Sequence, residues 1–127
     1  MNDTRAARRR RQAEAEQRTA AKILAEVPNE KAFYFYSAFG APTGKTAHSL
    51  SEFVNLINAT ELPTVEFHSS RGDFEKWIRM LGDEQLAGQV EGLKKEKLSP
   101  EIYSQRLVKL LTQRLQELEK KAKRPGA

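Results

Sequence analysis

Residues 33–53 read FYFYSAFGAPTGKTAHSLSEF, and the fold turns on how that stretch is interpreted. An apolar, strand-like run leads into a glycine-rich segment ending in Gly-Lys-Thr, and a helical pattern follows. That is the order of parts in a phosphate-binding loop. Such a loop needs Gly, four spacers and then Gly-Lys-Ser/Thr, so that successive backbone N–H groups curl round the phosphates. Counting back from Gly44, the first glycine belongs at position 39, which is Phe39, and Gly40 leaves one spacer too few. Nor does any apolar strand end in an aspartate suited to magnesium, or any series of βα units bury a parallel sheet. The segment therefore reads as a hairpin. Its first strand lies within 31–39, GAPTGKT forms the turn with Lys45 in solvent, and a short return strand covers 45–48. Along the first strand Phe33, Phe35 and Ser37 alternate with Tyr34, Tyr36 and Ala38, so both faces are at least half buried.

Helix signals surround the hairpin. Residues 4–26 are rich in Ala, Arg, Glu and Gln and hold no Gly or Pro, with Glu14 placed four residues before Arg18. Apolar content is thin until Ile23, Leu24 and Val27, so only the last turns have the means to dock. The run RAARRRR faces the positive pole of its own helix, and the first two or three turns are expected to fray. Ser49 and Glu52 form a capping box ahead of Leu50, Phe53, Val54 and Ile57. A short helix is expected after Pro63. SRGD at 70–73 has the form of another cap, before the stripe Phe74, Trp77, Ile78 and Leu81. Gly82 ends that helix, Asp83 caps the next, and Ser99-Pro100 opens a last helix carrying Tyr103, Leu107, Leu110, Leu111, Leu115 and Leu118.

These elements give an α+β, mostly helical fold, with one aromatic β-hairpin or short strand packed on about four to five helices. Residues 1–28 form a basic helical arm, 29–120 a single compact domain and 121–127 a basic tail. The chain of 127 residues contains no cysteine, which removes disulfides, thiolate catalysis and cysteine zinc sites. It has no apolar run approaching the ~18 residues of a membrane span. A basic start without an apolar segment behind it is not a secretory signal, and Asp3, Glu14 and Glu16 speak against a mitochondrial presequence. The expected location is cytoplasmic.

The charge is uneven. Residues 1–31 carry eight Lys/Arg against five Asp/Glu, residues 32–98 seven against nine, and residues 99–127 seven against three. The middle is slightly acidic and the two ends supply the basicity. That pattern suits a polyanionic partner better than an acidic small substrate. A solvated terminus is the plain alternative.

Other tempting features have plainer readings beside the functional one. RGD at 71–73 is a helix cap before it is an adhesion motif. His48 and His68 stand 20 residues apart without other ligands at metal spacing, so neither a metal nor a cofactor is expected. His68 has Asp73 and Glu66 within reach as partners, yet no nucleophile or oxyanion site accompanies it. Trp77 and Phe74 form a core stripe rather than a base-stacking platform. Tyr34 and Tyr36 keep both readings, because aromatic faces on an edge strand beside Lys45 suit stacking on bases.

From about 32 to 116 the chain resembles a small, chiefly archaeal domain family of unknown function. The family pattern runs aromatic strand, SLxEF, FH, RGDFExWI and GDExLA. Those elements stand here at Phe33 and Phe35, at 49–53, at Phe67-His68, at 71–78 and at 82–87. The resemblance implies a small, mostly helical α+β domain and carries no assigned reaction, so no catalytic residue follows from it. If the family shares a functional surface, Lys45, His68, Arg71 and Asp73 are the polar residues that would form it. The competing reading has Arg71 and Asp73 joining the caps of two helices while His68 closes the corner.

The leading functional expectation is a non-enzymatic protein that contacts nucleic acid or a ribonucleoprotein through its basic termini. Arg5, Arg8, Arg9, Arg10 and Arg11 are the principal contacts, with Lys120, Lys121, Lys123 and Arg124 beside them. An alternative is a protein–protein or oligomerisation module, in which the stripe from Leu107 to Leu118 pairs with a partner helix or a second copy. Nucleotide binding through GAPTGKT ranks last.

Overall fold

The computed structural model describes residues 4–123; Arg124 and the rest of the basic tail lie outside them. The fold is α+β and mostly helical. α1 (Arg5–Leu24) leads through a single 3-10 turn to a hairpin of β1 (Phe33–Ala38) and β2 (Ala41–Ala47). Five helices follow: α2 (Leu50–Asn58), α3 (Leu62–Arg71), α4 (Asp73–Leu81), α5 (Glu84–Lys94) and α6 (Pro100–Lys123).

One aromatic cluster organises the core. Phe33 and Phe35 of β1 are buried, whereas Tyr34, Ser37 and Ala38 are exposed, so the expected half-burial of both faces does not hold. The Phe33 ring stands 4.9 Å from Phe35, 5.1 Å from Phe53, 5.6 Å from Phe74 and 5.7 Å from Trp77, centroid to centroid. The contacts with Phe35, Phe53 and Trp77 are edge-to-face, and such pairs add about 0.5–1.5 kcal/mol each beyond the area they bury. The Trp77 indole N–H donates to the Lys31 carbonyl at 2.7 Å, so the one tryptophan is core with its polar edge satisfied. Around this cluster α6 acts as the spine. Its Leu107, Leu111, Leu115 and Leu118 are all buried against α1, α2 and α5, so the leucine stripe is covered within the monomer.

The helix boundaries follow local chemistry. The Ser49 hydroxyl accepts the Glu52 N–H at 3.2 Å while the Glu52 carboxylate accepts the N–H of His48 at 2.6 Å. Asp83 accepts the Leu86 N–H at 3.0 Å at the start of α5. Gly82, with φ at 106°, ends α4.

Three further local expectations are corrected. GAPTGKT is mostly strand: the turn is confined to Phe39 and Gly40, and β2 already begins at Ala41. Gly40, at φ 70°, supplies the left-handed backbone of the turn, and Gly44, at φ 85°, a second such position within β2. Pro42 is tolerated because a strand in a two-stranded sheet has a free edge that needs no N–H. SRGD is not a serine-capped start. Ser70 and Arg71 belong to the end of α3, and Gly72, at φ 73°, closes α3 and opens α4 in one residue. Glycine reaches that conformation without steric cost, which leaves the serine hydroxyl to donate back to the Phe67 carbonyl at 3.0 Å. Finally, α1 is helical from Arg5 and not frayed, since Thr4 caps it by accepting the Ala7 N–H at 3.0 Å.

Candidate functional site

α1 runs antiparallel to α6. Ala20 and Ile23 enter the core, and the Gln17 side chain donates to the Ala122 carbonyl at 3.2 Å. The first half of α1 therefore lies beside and beyond the end of α6, and the two basic clusters of the sequence meet at one pole. Arg5, Arg8, Arg9, Arg10 and Arg11 are exposed there, with Lys120 and Lys123 exposed and Lys121 half-buried. No carboxylate occurs between Thr4 and Ala13, and the first turn of α1 holds no acidic residue. Glu117 pairs with Arg114 and lies 3.6 Å from Lys121, and Glu119 is a second carboxylate at this end of α6.

The second feature is the corner between the hairpin, α3 and α4. His68 is buried on α3. Its Nε2 accepts the backbone N–H of Tyr36 at 2.8 Å, and its Nδ1 lies 2.9 Å from the Asp73 carboxylate. An acceptor at Nε2 puts the proton on Nδ1, where it is donated to Asp73. Asp73 Oδ2 also accepts from Arg71 Nε at 3.0 Å. His68, Arg71 and Asp73 thus come together as a latch tying β1 to the α3–α4 junction. Both ring nitrogens are spent on the fold, which leaves His68 no lone pair for a substrate proton. Lys45 does not join them. It stands exposed on β2, and its N–H is held by the Thr43 hydroxyl at 3.2 Å. In a strand the N–H groups alternate in direction and cannot converge on one phosphate.

Above the latch lies a groove of about 450 Å³. The hairpin contributes Tyr34, Tyr36 and Phe39 to its lining, α3 contributes Phe67 and Arg71, and α4 contributes Lys76 and Trp77. The Arg71 guanidinium sits 4.8 Å from the Phe39 ring centre and 5.1 Å from that of Phe67. Phe39 and Phe67 meet edge to face at 5.4 Å, yet Phe39 remains 82% exposed at the tip of the hairpin. Sequence reasoning passed over Phe39, Phe67 and Lys76. The available signal was an aromatic residue directly before the glycine of a tight turn, where a solvated side chain is the ordinary choice.

A third cluster is structural. Asp83, whose side chain is 1% exposed, takes a bidentate pair from Arg114, with Nε at 2.8 Å and Nη2 at 3.0 Å. Burial works against the Arg114 charge, but the hydrogen bonds and charge of Asp83 outweigh it and hold the guanidinium more firmly protonated than usual. Arg79 bridges Glu84 and Glu91 at 2.9 and 2.7 Å, joining α4 to α5. Near the start of α6, burial pushes the Tyr103 phenol up. The Ser69 hydroxyl offsets this in part without the geometry of a formed hydrogen bond, and the Glu75 charge adds to it. Among the described residues no three His, Asp or Glu side chains gather as a metal site, and no helix is long and apolar enough to cross a membrane.

No protein-family model, curated protein or solved structure matches the chain.

Proposed function

We propose that this protein binds the phosphate backbone of nucleic acid, free or within a ribonucleoprotein, through the basic pole formed by α1 and the end of α6. One observation carries the reading: the antiparallel packing of α1 on α6 gathers Arg5, Arg8, Arg9, Arg10, Arg11, Lys120, Lys121 and Lys123 at one end of the molecule, clear of the core. Arginine pairs with phosphate through a planar fork of donors, and a run of such groups binds without reading base sequence. The helix makes the run a rigid comb. Positions 8–11 cover a full turn, so the comb presents charge on every side rather than on one stripe. The globule orients the comb and performs no chemistry in this reading.

The test is fluorescence anisotropy with a labelled duplex at several salt concentrations. The full chain is compared with a variant in which Arg5, Arg8, Arg9, Arg10 and Arg11 are all glutamine, which preserves helix propensity. If the five arginines engage duplex phosphates, log K falls with log salt more steeply in the parent by a slope of about 4. Equal affinity and equal slope for the two proteins refute the proposal.

A further inference from the structure

We propose that the groove between the hairpin tip and α3 is a second binding site, one that takes a single unstacked nucleotide, base and phosphate together. The inference deepens the reading above but stands on different residues. Phe39 is the starting point. A phenylalanine 82% exposed is a poor choice for a turn, and here its ring is held upright by the Arg71 guanidinium and the edge of Phe67. One aromatic ring is thus pre-positioned at the rim of the groove while most of it stays in solvent. Tyr34, itself 44% exposed, and Tyr36 add further aromatic surface to the lining from β1. Base–aromatic stacking is tolerant of sequence because every base has a flat π-face.

Charge decides what accompanies the ring. Asp73 is the sole carboxylate lining the groove, and it is already shared by His68 and Arg71. Arg71 uses only Nε for that pairing, so its two η nitrogens present a fork of donors with no partner among the described residues. Lys76 stands beside it, its ammonium reaching only the Arg71 carbonyl at 3.4 Å. An aromatic slot with a guanidinium fork and an ammonium at its edge complements a planar ring bearing an anion. The latch keeps Arg71 in place, and a groove of about 450 Å³ matches the size of one nucleotide rather than a duplex. The same chemistry is offered by a free mononucleotide and by an unpaired residue within a strand, and the experiment separates these sources.

Trp77 is the only tryptophan and lines the groove, so its fluorescence reports occupancy. The titrations use the full-length variant with five arm glutamines, which removes the basic run from the signal. The probes are adenosine 5′-monophosphate, a (dA)6 single strand and a blunt duplex of the same length. Quenching by the single strand but not the duplex is expected. Phe39→Ala is expected to weaken binding roughly 5- to 150-fold, the range for losing one stacked base. That side chain is largely in solvent, so the variant keeps the fold. Arg71→Lys retains charge, loses the fork, and is expected to weaken binding by at least tenfold. If the mononucleotide alone saturates the signal, the ligand is a free nucleotide; if only the strand does, it is an unpaired residue of a longer chain. No quenching by either, equal quenching by the duplex, or Phe39→Ala unchanged from its parent overturns the proposal. A failed arm leaves this outcome untouched, because the arm is already neutralised.

Discussion

Replacing Asp83 by alanine should destabilise the protein more than any change on the basic pole or in the groove. The carboxylate performs two tasks from a site 1% exposed. It caps α5 through the Leu86 N–H, and it neutralises Arg114, whose side chain is only 10% exposed. Removing the cap costs about 1 kcal/mol. Leaving a largely buried guanidinium with the partly exposed Glu117 as its remaining partner costs about 3–5 kcal/mol. The two overlap, so a total near 4 kcal/mol is expected. At roughly 2.1 cal/mol/K of unfolding entropy per residue, that lowers Tm by about 15 °C. Asp83→Asn keeps the capping oxygen and should fall short of the alanine variant by about 1 kcal/mol. Arg114→Met removes the charge instead, and in the double variant with Asp83→Asn no buried ion is left unpaired. A double-mutant cycle by urea unfolding should therefore return a coupling above about 2 kcal/mol between positions 83 and 114. An alanine variant within 1 kcal/mol of the parent, or a coupling below 0.5, would show that the pair contributes nothing net and that the spine of α6 is held by packing alone.

Two further outcomes are expected. Tyr103 carries a buried hydroxyl without a hydrogen-bond partner and a phenol pushed up by burial. The folded state keeps its proton at a pH where the unfolded chain has begun to release it, so stability is full below the unfolded phenol's pKa of about 10 and is lost as pH rises above it. Tm measured from pH 8 to 11 should fall less steeply in Tyr103→Phe, and the variant should match or exceed the parent at pH 7; identical slopes would contradict the assignment. At Gly72, with φ at 73°, an added Cβ meets no atom closer than 3.8 Å, so Gly72→Ala tests backbone strain alone and should cost about 1–2 kcal/mol by urea denaturation.

Local chemistry was legible in the chain, and long-range pairing was not. Ser49, Asp83, Gly82 and Ser99 announced helix ends because a cap acts over three or four residues. The hairpin was legible because alternating aromatics have a period of two. The extent of β2 was missed, since Pro42 and Gly44 speak for a turn unless the strand is known to be an edge. The Ser70 cap was misread for a related reason: a glycine two residues later offered a cheaper way to end one helix and start the next. His68 with Asp73 was visible as a pair, but its second nitrogen is taken by Tyr36, 32 residues away. Arg114 on Asp83 spans 31 residues and leaves no periodic trace. The same holds for the groove, whose aromatic wall comes from a turn and whose guanidinium comes from a helix end.

The placement of the arginines argues for a partner more strongly than their number does. Like charges at the positive end of a helix dipole cost roughly a few tenths of a kcal/mol each, and the core draws only on Ala20 and Ile23 of α1. Charged groups whose role was only to keep the globule in solution would relieve that cost at the other end of α1, where a basic run would complement the dipole. Instead they stand at its start, capped by Thr4 and set against the end of α6, where Lys120, Lys121 and Lys123 do complement the negative pole of their own helix. An unfavourable field and a favourable one are thereby merged into a single cationic surface. Polyanion binding reverses the sign of the first term, because phosphate oxygens lie well at a helix N-terminus as well as on the guanidinium forks. Under the proposed function, the unfavourable field at the start of α1 would be converted into affinity for a phosphate backbone.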